Sequence, residues 1–240
     1  LCLLPFSKLE IPSKKFIIPF IGFGVCMGAG VNMFLYLSLN VSSILAPITI
    51  GAQLSIPLGI IISSIFIGES ISYKKWMLII ISFSGIILIG FDPKIVDEIL
   101  GVLLICCMAF FYGLAQVFSR QLKEIDVKFT NAFMGFFGFI ILLILSIFFE
   151  GSTTSHIKNM NVDAWLLALH HGLLCSLMGH MSMFYLYKFY PVGQVLPFYA
   201  LFPVFGIILS FIIFGELPTL IMVTGGIIVI TSVFLMQKIR

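Results

Sequence analysis

Apolar residues run along this chain in long blocks separated by short polar clusters, and no block alternates as a barrel strand would. Residues 16–67 contain no Asp, Glu, Lys or Arg. That is too long for one membrane helix of about 20 residues. The run must turn once, and Asn40-Val41-Ser42-Ser43 offers the place. The pattern therefore predicts segment A at 16–38 and B at 43–67, then C at about 75–91, D at 99–118, E at 129–149, F at 164–187, G at 192–214 and H at 217–236. The expected fold class is all-α, a polytopic membrane helix bundle with eight visible transmembrane helices.

Composition supports lipid as the main solvent. Of 240 residues, 60% are hydrophobic and 10% charged, whereas a soluble domain carries about 25% charged residues. The cysteines (Cys2, Cys26, Cys106, Cys107 and Cys175) show no metal-ligand spacing and no disulfide framework, so they read as small apolar fillers. No metal and no cofactor is expected. The opening Leu1-Cys2-Leu3-Leu4-Pro5-Phe6 resembles the tail of an earlier apolar span, which leads us to expect helices before it.

Charge orients the bundle. If eight helices alternate, one side holds Lys8, Lys14, Lys15, Lys74, Lys75, Arg120, Lys123, Lys128, Lys188, Lys238 and Arg240, and the other only Lys94 and Lys158. Eleven against two is a positive-inside signal, which places both ends of the chain in the cytoplasm. Trp76 and Trp165 fall near span ends, where amphipathic rings settle.

The chain also repeats itself. Gly59-Ile60-Ile61-Ile62-Ser63-Ser64-Ile65-Phe66-Ile67-Gly68-Glu69 matches Gly206-Ile207-Ile208-Leu209-Ser210-Phe211-Ile212-Ile213-Phe214-Gly215-Glu216 at an offset of 147. Upstream, Met33-Phe34 and Pro47 match Met183-Phe184 and Pro197 at an offset of 150. Segments B and G are five spans apart, an odd number, so equivalent helices cross the membrane in opposite directions. This is the inverted repeat of many secondary transporters. Five spans per repeat predict ten helices in all. Residues 1–91 would then hold helices three to five of the first repeat, and 99–240 helices six to ten.

These features resemble the drug/metabolite transporter superfamily, most closely its EamA-type branch. The residues that carry the resemblance are the Gly68-Glu69 and Gly215-Glu216 pairs, Gly85 and Gly225 in the helices that follow them, the stretch from Gly101 to Gln121, and Pro197 to Pro203. It implies ten helices in two inverted five-helix repeats, and a carrier of small metabolites in a bacterial inner membrane.

Few residues offer chemistry at membrane depth. His180, in Gly179-His180-Met181-Ser182, is an ionisable group near the middle of segment F, where such groups face a cavity or a partner. The resemblance aligns it with a cavity-facing position. His171 and His180 are nine residues apart, which on an α-helix places them on opposite faces, unable to clamp one ligand. Gln53 is a buried amide in search of partners, which a polar substrate or an interhelical hydrogen bond would supply. Asn32, Gln116, Tyr112 and Asn131 are further candidates for the substrate path. Pro47, Pro57, Pro197 and Pro203 fall in both repeats and suggest hinges for gating. Glu69 and Glu216 lie at span ends and are expected to cap the next helix rather than bind substrate. Gly24 and Gly28 have the spacing of close helix packing, which also leaves a homodimer open.

The expected function is therefore a secondary transporter that exports or exchanges a small polar metabolite, such as an amino acid, by alternating access. The partners are that solute and the bilayer. A nucleotide sugar would need basic residues within the spans to meet phosphate, and the spans have none. An inactive remnant or accessory membrane protein is the remaining alternative. No catalytic residue is expected: a membrane protease would need a Ser with a His on another helix or a His-Glu-x-x-His pair, and neither is present. The basic residues follow topology rather than forming an aromatic-laced patch, so nucleic acid is not a partner.

Overall fold

The computed structural model describes residues 13–68, 70–92, 98–150, 157–195, 202–215 and 217–239. Among these the regular elements are all helical. Helix α1 covers Lys14–Val41. Helix α2 is made of Leu45–Gly51, a 3-10 turn at Ala52–Leu54, and Ser55–Ile67. Helix α3 is Tyr73–Gly90, α4 Ile99–Gln121 and α5 Val127–Phe149. Helix α6 covers Val162–Leu186. A short α7, Val192–Val195, precedes α8, Phe202–Phe214, and α9, Leu220–Lys238.

These elements follow the expected segments to within a few residues at each end. Five of them (α1, Pro47–Ile67 of α2, α4, α5 and α6) are long and apolar enough to cross a membrane. Leu220–Met236 is a shorter apolar helix. Large side chains such as Phe139, Phe148, Leu167, Ile212 and Leu220 are exposed, which a lipid solvent tolerates and water does not.

The chain divides into two compact units. One combines residues 1–29 with 118–190, the other 30–117 with 191–240.

In the first unit α1 packs against α5. At their crossing, a Cβ placed on Gly28 would stand 2.4 Å from the carbonyl oxygen of Met134, and one on Gly138 would stand 2.5 Å from that of Gly28. Only paired glycines allow backbones this close. Phe20 stacks on Phe129 and packs on Phe133, with centroids 5.5 and 4.0 Å apart. Towards the polar ends, Lys15 pairs with Glu124 at 3.1 Å, and Arg120 donates to the backbone oxygen of Tyr187 at 2.5 Å. The Lys15–Glu124 pair is more than half exposed on both sides and stabilises little.

In the second unit α3 and α9 form the main helix pair. Their glycines meet reciprocally: a Cβ on Gly85 would lie 2.8 Å from the Gly225 oxygen, and one on Gly225 would lie 2.7 Å from the Gly85 oxygen. Ile50, Ile89, Met222 and Val229 form a buried cluster nearby. Two carboxylates between α3 and α4 in sequence tie down the ends of this unit's helices. Buried Glu98 accepts from the Ser43 backbone N–H at 3.0 Å and from the Ser43 hydroxyl, just ahead of α2. Buried Asp92 accepts from the hydroxyl of Thr219, the N-cap of α9. Within each unit, every one of these ties joins loops that alternating spans place on one side.

The Gly-Glu motifs resolve into a turn. Gly68 and Gly215 carry φ of 76° and 70°, the left-handed region that favours glycine at a helix C-terminus. Four residues later, Ser72 and Thr219 cap the next helices by accepting from Lys75 N–H and Met222 N–H. Both the turns and the caps keep the offset of 147. Glu69 and Glu216 lie outside the described residues. The N-caps of the helices that follow are Ser72 and Thr219, whose short hydroxyls reach first-turn N–H groups directly.

Candidate functional site

Helix α2 is broken where its sequence requires a break. Pro57 has no N–H to give the carbonyl of Gln53, and its ring crowds that same oxygen. The α-helical ladder cannot pass this point, and the chain takes a 3-10 turn at Ala52–Leu54. Pro47 sits in the first turn of α2, where its missing N–H costs nothing. Pro203 occupies the corresponding first turn of α8, and Pro197 lies outside the described residues.

Gln53 is at the centre of the break, only 2% exposed, and its side-chain oxygen has no hydrogen-bond partner. Gln116, on α4, is fully buried with both amide atoms without partners. A buried polar atom left in that state costs about 1–3 kcal/mol. Such atoms are suited to a polar ligand or to water. Tyr112 lies one turn before Gln116 and is also buried. Asn32, at the start of an α-helical stretch of α1, is half-buried. Asn131, on α5, donates to the Val127 oxygen at 2.9 Å, while its side-chain oxygen has no partner. That bond lies within its own helix.

The structure distributes these candidates over both units. Asn32, Gln53, Tyr112 and Gln116 belong to the second. His180 belongs to the first, where its ring stacks on Phe184 at 6.2 Å. Phe184 in turn meets Phe23 edge-on at 4.8 Å. The His180 imidazole also hydrogen-bonds the backbone of Cys175.

That bond exposes a feature the α-helical reading of the sequence missed. Residues His171–His180 of α6 form a π-helix, as do Gly24–Val31 of α1. A π-turn holds more residues than an α-turn, because each N–H reaches back five residues. His171 and His180 are therefore not on opposite faces as α-helical spacing implied. The two π segments also overlap at the repeat offset of 150, since 24–31 maps to 174–181. π-Helices are rare and cluster at functional sites. Glycines at 24, 28 and 30, and at 172 and 179, were the available signal, and they had been read only as packing residues or passed over.

An open groove of about 590 Å³ is lined by Ser72, Tyr73, Lys74, Lys238 and Ile239 at the polar ends of α3 and α9. It contains none of the candidate residues. Among the described residues no cluster of His, Cys, Asp and Glu is arranged to hold a metal ion.

Comparison with known proteins places this architecture. The model of the EamA-like transporter family matches residues 99–237. The "Uncharacterized transporter YdfC" of Bacillus subtilis (strain 168) is 25% identical over 174 residues, which is 72% of this chain and 56% of that protein. The chain thus spans little more than half the length of this relative. A solved structure titled only "Crystal structure of protein" superposes with a TM-score of 0.60 at 16% identity, covering 92% of this chain and 77% of that one. That likeness concerns the fold alone.

Proposed function

From the premise that the chain belongs to the EamA-like transporter family, a family of membrane transporters, we propose that it is a secondary carrier which exports or exchanges a small, polar, uncharged or zwitterionic metabolite, such as an amino acid. The observation that carries this reading is Gln53, a buried amide with an unfilled acceptor at a break in a membrane helix. Broken helices at membrane depth are where transporters bind solute, because the interrupted ladder leaves backbone groups to be satisfied.

Apart from their first and last few residues, the spans contain no Asp, Glu, Lys or Arg, and their histidines all lie on α6. A strongly charged solute would lack a counter-charge there. Coupling to protons would have to use His180; otherwise the carrier works by exchange or uniport. In the alternating cycle, α2 and α8 rock against each other, with the break at Pro57 as the hinge of α2. The family likeness supports a bacterial inner membrane location, and the excess of lysine and arginine on one side supports an orientation with both chain ends cytoplasmic.

The test is efflux of labelled L-serine, L-glutamine and L-phenylalanine from liposomes, with and without a pH gradient. Wild type, Gln53→Leu and His180→Ala are compared. Saturable efflux of one compound, weakened at least tenfold by Gln53→Leu, is expected. Loss of the gradient effect in His180→Ala would make that imidazole the coupling group. Folded protein that moves none of the three would refute the amino-acid reading.

A further inference from the structure

We propose that Gln53 and Gln116 serve two separate solute sites on opposite sides of α2, so that the second unit holds two polar ligands rather than one. This rests on the transporter reading above and deepens it.

The register of α2 against α4 fixes the geometry. A Cβ on Gly51 would lie 2.7 Å from Ile105, and one on Gly113 would lie 3.0 Å from the Gly59 nitrogen. Both pairs are 54 residues apart in sequence, so the two helices run side by side in the same direction. At that register Gln116 is level with Ile62, nine residues beyond Gln53. At the rise of a helix this is about 13 Å. A free amino acid does not bridge that span with its polar groups.

The directions differ as well. Gln116 follows Ile105 by about three helical turns, so it lies on the face of α4 that Ile105 turns towards α2. Gly51 is the residue of α2 that turns towards Ile105 of α4, and Thr49, two residues before it, meets α8, 3.2 Å from where a Cβ on Gly206 would stand. Gln53, two residues after Gly51 and about half a turn round, therefore leaves α2 on the side away from α4, while Gln116 faces α2 from the α4 side.

The unfilled atoms define what each site takes. Gln53 offers an acceptor, suited to an ammonium or an N–H. Gln116 offers an acceptor and a donor, suited to a solute that presents both, as a zwitterion or a carboxamide does. Two such sites along one broken helix would let a second solute molecule bind before the first has left.

Equilibrium binding of labelled L-serine and L-glutamine to the purified protein in detergent, counted per chain, tests this. Two molecules per chain are expected for the transported compound, one in Gln53→Leu, one in Gln116→Leu and none in the double variant. Gln116→Met, unbranched and close in volume, serves if the leucine variant fails to fold. One molecule per chain in the parent, or loss of all binding in either single variant, overturns the two-site proposal and leaves the carrier reading intact. Parent-like binding in Gln116→Met means that this amide holds water only, and also overturns it. Absence of both binding and efflux for every compound brings down the amino-acid reading and this proposal together.

Discussion

Helices α1 and α6 share a π-helical segment at equivalent positions of the repeat, yet they are built on different terms. In α1 the segment Gly24–Val31 contains the buried Cys26, Met27, Ala29 and Val31. Its Gly28 lies directly against the backbone of α5. In α6 the segment His171–His180 contains no buried residue, and Gly172 has nothing within 4 Å of its absent Cβ. The first is clamped by a glycine contact and the second is held by its own hydrogen bonds and a few aromatic rings. The same local distortion can therefore arise from packing or persist without it. Only the clamped copy has its conformation determined by a neighbour.

The strongest way to break this comparison is to add bulk to both copies. In Gly28→Val the new side chain must pass through the Met134 carbonyl, 2.4 Å away, and a backbone atom cannot swing aside. Overpacking of this kind costs about 1–3 kcal/mol and occasionally more. Loss of monodisperse protein on size exclusion, or a collapse of the thermal midpoint, is expected. Gly179→Val in α6 meets only the Leu174 oxygen at 3.6 Å and should stay near parent stability. Equal losses at the two positions would show that α6 is as tightly held as α1.

Much of the architecture was legible from the sequence, for a physical reason. Lipid removes the need for polar surface, so span positions follow from hydropathy alone, and seven of the eight expected segments appear as described helices over nearly the expected ranges. Segment G is described only in part, at Val192–Val195 and Phe202–Phe214. The turn chemistry was half legible. Gly68 and Gly215 are conspicuous because only glycine enters the left-handed region freely. Ser72 and Thr219 were missed because a lone hydroxyl four residues later carries no periodicity. The π segments were illegible because hydropathy cannot distinguish a helix with one extra residue per turn. The error passed on to the histidines, whose relative facing depends on that count. Gln53, Tyr112 and Gln116 stand out in the sequence as polar groups deep in apolar spans, but the register of α2 against α4 required the contacts of Gly51 and Gly113.

A middle-sized effect sharpens the contrast between a unit held by specific ties and a helix with few. Burial pushes the Glu98 carboxyl upward, but the hydroxyl and backbone N–H of Ser43 outweigh it and hold the group below its ordinary value. A depressed folded value means the stabilisation is complete above the unfolded pKa and is lost as pH falls through the folded one. Wild type should therefore lose thermal stability as the pH falls below about 4. Glu98→Gln keeps the shape and loses the charge, and should cost about 1–3 kcal/mol at neutral pH. It should also flatten that acid limb. An unchanged acid limb in the variant would remove Glu98 as its source.

The smallest expected effect probes the loose copy by itself. Gly172→Ala adds one methyl group to α6 where nothing stands within 4 Å. Steric cost is absent, and alanine is the better helix former by about 1 kcal/mol in a regular helix. A π-turn recovers less of this, so the thermal midpoint should rise slightly or stay level. Efflux is the more telling measurement. If the π segment of α6 must change its turn during transport, a methyl that stiffens it should slow efflux without loss of stability. If α6 is only a lipid-facing wall, both stability and rate should stay at parent values. A fall in stability would contradict the open surroundings of Gly172 and would make α6 a packed helix like α1.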